Sequence, residues 1–271
     1  LAAYRLVPSI TRISKVVQAM NNALPAAEPY IFNDSRIQNI IISDQKNSIK
    51  KKEIKFKNEI NLKDVDYAFP NTNEKILNNL NIKIIKGRTI GIHGSSGAGK
   101  TTLINIIMGL LKSDKGDILV DNQSIYKNLK NWQQIISYIP QNVFLFDDTI
   151  INNVALGEKR ENINMKNFEN SLKVSRIYDF VNSIPKNINT NCGELGDKFS
   201  GGQKQRIGIS RALYRNSDVL IFDEFTNFLD KQNEEEILED IKNMSGKTKI
   251  LISHNLKVFK YCDEVYELKN K

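Results

Sequence analysis

The spacing of apolar positions changes along the chain, and each change marks an expected element. Leu6, Ile10, Ile13, Val17, Met20 and Leu24 recur every three or four residues, which predicts an amphipathic helix over Leu1–Leu24. Arg5, Arg12 and Lys15 interrupt any continuous lipid-facing surface, and Pro8 marks either a kink or the entry to the helix. Two readings stand: a helix packed on its own domain, or the end of a longer membrane helix whose earlier part is absent. The chain opens on Leu1 rather than Met, which fits a processed, engineered or partial product, and the character of this first segment favours a segment of a longer protein. Residues 44–58 are polar and lysine-rich ("KNSIKKKEIKFK") and are expected to be a linker leading into a first strand.

Short apolar runs then alternate with helical periods. "RTIGIHG", "GDILVD", "DVLIFDE" and "KTKILISH" have the length and β-branched content of strands. "KTTLINIIMGLL" and "NEEEILEDIKNM" have helical spacing. This alternation predicts an α/β fold with a largely parallel sheet and helices on its faces. Residues from about 128 to 200 are mostly helical in pattern and read as a subdomain set into that core.

Composition changes the picture little. The chain has 271 residues, 40% hydrophobic and 26% charged, as expected of a globular domain. The net charge of +8 suits nucleic acid, an anionic membrane or a phosphorylated ligand, or is simply solvated surface. Cys192 and Cys262 lie in no metal-binding spacing and are too few for a disulfide framework, so a reducing compartment is the simple expectation. No apolar run reaches 18 residues, so nothing here spans a bilayer by itself.

The chemistry starts at "GSSGAGKT", which matches G-x-x-x-x-G-K-[ST] between an apolar strand and an apolar helix. Glycines let the backbone curl so that successive N–H groups face phosphate oxygens, and the following helix adds its positive end. Gly94, Ser95, Ser96, Gly97, Ala98, Gly99, Lys100, Thr101 and Thr102 are therefore the expected ATP contacts. Lys100 is expected to reach the β- and γ-phosphates, and the Thr101 hydroxyl to ligate Mg²⁺. "VLIFDE" ends an apolar strand in two carboxylates. Asp223 is expected to hold Mg²⁺, directly or through water, leaving Glu224 to orient or deprotonate an attacking water. His254 in "LISHN" ends a third strand and is placed to donate to the γ-phosphate. Gln141, after "YIP", offers an amide for Mg²⁺ or the attacking water. His93 is expected to pack locally.

A second glycine pair, "SGGQ" at Ser200–Gln203, precedes the helical run "KQRIGISRALYR" and forms another phosphate-binding helix start. One ATP does not easily use two loops about a hundred residues apart. Two copies arranged head to tail do, each covering the other's nucleotide.

The order of these motifs, from about Glu59 to the end, resembles the ATP-binding cassette (ABC) family. The resemblance implies a P-loop ATPase core over 59–271 with a helical subdomain, and hydrolysis of ATP with Mg²⁺. It implies that Ser200, Gly201, Gly202 and Gln203 act on the partner's nucleotide. Phe69, 25 positions before Gly94, matches the adenine-stacking aromatic, and Asp230 matches the aspartate of the loop linking the two ATP sites. "PQNVFLFDDTIINNVALG" and "NCGELGDKFSGGQKQR" resemble the exporter branch, the first in a segment that meets the membrane domain. Residues 1–43 resemble the end of a last transmembrane helix and its cytoplasmic extension, most like exporters that flip lipid-linked glycans or related lipids. The implied setting is the cytoplasmic face of the cell's inner membrane. The implied partners are a second cassette and a membrane domain, and no nucleic acid is expected. Phe199 stands where Leu is usual, and Asn227 and Phe228 depart from the family's Ala-Thr-Ser-Ala-Leu-Asp. An importer's ATPase subunit, a soluble ABC ATPase acting on nucleic acid or ribosomes, and a non-catalytic cassette are the alternatives.

Overall fold

A computed structural model describes residues 13–23, 53–70, 72, 74–228 and 231–269 of the chain. The chain divides into two units, Leu1–Lys52 and Glu53–Lys271. In the first, residues 13–23 form a helix, α1, whose Ile13, Val17 and Met20 are each at least half exposed. The rest of the expected Leu1–Leu24 helix lies outside the described residues.

The second unit holds two sheets. Strands β1 (Glu59–Ala68), β2 (Lys75–Ile85), β4 (Lys115–Val120) and β5 (Gln123–Ser124) form an antiparallel sheet in the order β2-β1-β4-β5. Strands β3 (Thr89–Gly94), β6 (Ile136–Ile139), β7 (Val219–Asp223), β8 (Thr248–Ile252) and β9 (Glu264–Leu268) form a parallel sheet in the order β6-β7-β8-β3-β9. The expected parallel sheet is thus present, but "GDILVD" belongs to the antiparallel one. β1 and β2 are joined by only a short loop, too short for the crossover that parallel neighbours need. Residues just before β1, expected to be linker, are anchored: Ile54 and Phe56 are buried. The Ile54 N–H donates to Asn131 Oδ1 at 2.6 Å. Asp121 accepts from the N–H groups of Lys57, Asn58 and Glu59 at 2.6–3.0 Å.

Burial explains the strand sequences. Val219 and Ile221 of β7, with Ile250 and Ile252 of β8, face a core shared with the antiparallel sheet and helix α2 (Lys100–Ile107). Leu220, Phe222 and Leu251 face the opposite core, closed by Ile237, Leu238 and Ile241 of helix α8 (Lys231–Asn243). Covered on both faces, these strands read as unbroken apolar runs.

Helix α3 (Leu129–Gln134) leads into β6, so the helix-rich stretch itself contributes a strand to the sheet. Helices α4 (Ile150–Val154), α5 (Met165–Val174) and α6 (Tyr178–Ser183) share a third core with one side of α7 (Gly201–Tyr214). Phe199 fills that core, its ring edge-on to Phe180 with centroids 6.0 Å apart. The carboxyl ends of β3, β6, β7 and β8 carry Gly94, Gln141, Asp223–Glu224 and His254 on or just beyond them. In open α/β sheets this is the end where ligands bind.

Candidate functional site

The loop from β3 to α2 is built around two backbone positions that favour glycine. Gly97 has φ 82° and Gly99 φ 88°. A Cβ on Gly99 would also lie 2.8 Å from Ile76 Cγ2. Gly99 caps α2 without a side-chain acceptor, and no acidic residue occupies the first turn. That helix start is therefore suited to an anion. Lys100 is 8% exposed, and its ammonium donates to the carbonyls of Gly94 at 2.9 Å and Ser95 at 3.0 Å. Among the described residues it makes no ion pair. A buried cation held only by dipoles matches a phosphate.

Beside this loop lies a cleft of about 470 Å³. Ser96, Gly97, Gly99, Lys100, Thr101 and Thr102 line it together with Phe69, Gln141, Glu224 and His254. Phe69 is 45% exposed and meets Tyr67 edge-on at 5.4 Å. Its open face is available for a planar ring. His93, as expected, packs locally, 5.6 Å from the Phe259 ring.

Glu224 is held from three directions. His254 Nε2 lies 2.7 Å from Oε1. The Gln141 amide donates to Oε2 at 2.8 Å, and the Asn227 amide to the same oxygen at 3.3 Å. The Glu224 backbone is left-handed, at φ 45°, and its N–H donates to the Ile252 carbonyl of β8 at 2.9 Å. Such a conformation costs about 1–3 kcal/mol outside glycine and persists where surroundings impose it.

Asp223 accepts from the Tyr138 hydroxyl at 2.9 Å. Burial raises its pKa above the ordinary 3.8, and the charge of Glu224 adds to that; the Tyr138 hydrogen bond, Lys100 and His254 act the other way without cancelling it. Burial and the adjacent carboxylate hold the Tyr138 phenol protonated far above its usual range. The Thr101 hydroxyl, the Asp223 carboxylate and the Gln141 amide carbonyl offer only oxygen donors, the chemistry that suits a hard cation such as Mg²⁺. Among the described residues no cluster of three or more His, Cys, Asp or Glu side chains would hold a metal by itself. Phosphate oxygens and water would have to complete its shell.

The second glycine loop does not line this cleft. Ser200 caps α7, and a reciprocal capping box closes its first turn. Ser200 Oγ accepts from the Gln203 N–H at 3.3 Å, and Gln203 Oε1 accepts from the Ser200 N–H at 2.9 Å. The N–H groups of Gly201 and Gly202 are left without a side-chain acceptor among the described residues. Asp230 lies outside the described residues. Sequence reasoning missed Tyr138 and the Asn227 contact. Tyr138 alternates with buried Ile139 three positions before Gln141, a period-two signal that places it on the other face of the strand.

The family described as ABC transporter matches residues 77–227. The chain is 34% identical over 266 residues to an ATP-dependent lipid A-core flippase of Francisella tularensis subsp. holarctica (strain OSU18), covering 97% of this chain and 42% of that protein. It is 38% identical over 209 residues to a putative export ATP-binding/permease protein of Rickettsia bellii (strain RML369-C), covering 76% of this chain and 36% of that one. A solved bacterial Atm1-family ABC exporter with ATP bound superimposes with a TM-score of 0.75 at 30% identity, over 81% of this chain and 39% of that chain. The chain thus spans about two-fifths of the length of these curated relatives.

Proposed function

The chain belongs to the ABC transporter family, and we propose that it binds and hydrolyses Mg²⁺-ATP to power export across a membrane. One observation carries the reading: the glycine loop, Gln141, Glu224, His254 and Phe69 all border one cleft. The loop amides and Lys100 grip the phosphates while Phe69 stacks on the adenine. Thr101, Asp223 and Gln141 would hold Mg²⁺, which when bound would supply charge neutralisation on the phosphates. Glu224 orients and deprotonates the attacking water, and His254 on its other oxygen fixes the carboxylate and faces the γ-phosphate. The reaction then rests on positioning and charge stabilisation rather than on a covalent intermediate.

The site is completed by a second copy. Ser200, Gly201, Gly202 and Gln203 do not reach this chain's cleft but sit at an uncapped pair of N–H groups suited to a partner's phosphate. Asp230, six positions after Glu224 in the sequence, is assigned to the contact between sites. Phe144 and Phe146, 51% and 46% exposed and edge-on at 5.0 Å, are the contact offered to a membrane domain. No helix of the described residues is long and apolar enough to cross a membrane. The relatives named as lipid A-core flippases support a lipid or lipid-linked glycan as cargo, and the site of work assigned with it is the cytoplasmic face of the cell's inner membrane. Glu224→Gln tests the core of this reading. ATP binding is expected to persist while turnover falls roughly 10²–10⁴-fold. Unchanged turnover would remove Glu224 from its role.

A further inference from the structure

Glu224 receives donors from three elements, and they differ in how firmly each follows it. Gln141 lies on the loop after β6 and His254 on the loop after β8. The His254 side chain is 51% exposed. Either moves relative to Glu224 if the loops shift. Asn227 does not, because it sits in the same turn. Its backbone N–H donates to the Glu224 carbonyl at 3.4 Å while its side-chain amide donates to Oε2 at 3.3 Å. The far end of that turn is braced against the α7 start. A Cβ on Gly202 would lie 2.9 Å from the Phe228 carbonyl oxygen, and one on Gly201 would lie 3.2 Å from Phe228 Cδ1. So the two glycines admit the turn, and the turn in turn sets where the Asn227 amide points.

We propose that Asn227 is a positioning residue for hydrolysis. Its amide holds Oε2 of Glu224 toward the water, and the contact of Phe228 with Gly201 and Gly202 ties that direction to the glycine pair that serves the partner's nucleotide. This rests on the ATPase reading above and adds a residue to it.

Steady-state ATP hydrolysis by the full chain tests the proposal, with kcat and KM read separately and nucleotide binding measured in parallel. Asn227 is exposed, so its replacement disturbs no core. Asn227→Ala is expected to lower kcat about 10-fold, as for loss of a hydrogen bond to a charged group, with KM for ATP changed less than about 2-fold. Asn227→Asp keeps the shape, loses the donor and sets a second carboxylate against Glu224. Its kcat is expected to fall further than that of the alanine variant. If the aspartate variant keeps the unmodified kcat, Asn227 merely fills space and the proposal is wrong. Changes confined to KM overturn it equally. Hydrolysis by the unmodified chain, unaffected by either variant, sinks this inference and leaves the ATPase reading standing. Absence of hydrolysis in the unmodified chain, with nucleotide bound, overturns both.

Discussion

Asp223 shows how one residue's surroundings set a pH dependence. Burial raises its pKa above 3.8, and the Tyr138 hydroxyl opposes the rise by bonding the charged form. If Asp223 serves Mg²⁺, protons compete with the metal as pH falls toward that raised value. Affinity for Mg²⁺-ATP is then expected to weaken on acidification, beginning at a higher pH than an ordinary carboxylate would allow. Tyr138→Phe removes the opposing hydrogen bond, so the pKa rises further and the acid loss should move to higher pH. Titrating Mg²⁺-dependent nucleotide binding across pH in both proteins decides the matter. A shift toward lower pH in the phenylalanine variant would contradict the assignment.

Among the elements, α4 is tied to α7 by buried polar groups rather than by apolar contact alone. Asn153, fully buried, donates to the carbonyls of Phe146, Asp148 and Thr149 and accepts from the Phe146 N–H at 2.9 Å and Arg211 Nη2 at 3.1 Å. Arg211 also donates to the carbonyls of Asn153 and Phe144. Asn153→Leu removes the acceptor of the Phe146 N–H and of Arg211 Nη2, while the three carbonyls keep backbone donors, and it is expected to cost about 1.5–3 kcal/mol, a fall in Tm of about 4–12 °C. A calorimetric change within 1–2 °C would show that the network is dispensable. The sequence makes some elements plain and hides others for identifiable reasons. β3, β7 and β8 are legible because burial on both faces leaves unbroken apolar runs. The loop at Gly94–Thr102 is legible because its chemistry is local. β1 and β2 are harder, since lysine and asparagine fill their exposed faces and shifts in pairing between Leu62 and Ala68 break the alternation. The capping box at Ser200 is written as Ser-x-x-Gln, yet its glycines draw attention first. Asn227 appears in sequence only as a departure from a familiar pattern, because its partner on Glu224 depends on the turn's backbone.

At the scale of the whole molecule, the cleft and the start of α7 are separate features of one chain, and the proposed head-to-tail pair would bring them together. The Glu224→Gln variant with ATP and Mg²⁺ is expected to accumulate as a species of twice the 31.0 kDa mass, and to return to single mass when the nucleotide is removed. Light scattering reads this directly, and a single mass throughout would count against the head-to-tail arrangement. The placement of α7 has a mechanical consequence. Ile207 and Tyr214 belong to the helical core, while Ile209 and Ala212 belong to the core beneath the parallel sheet. A rod gripped on two sides works as a lever. Its 14 residues span about 21 Å, so a tilt of about 10° at the Tyr214 end carries Ser200 through roughly 3–4 Å. That travel is about the length of one hydrogen bond, enough to make or break a grip on a phosphate while both cores stay closed.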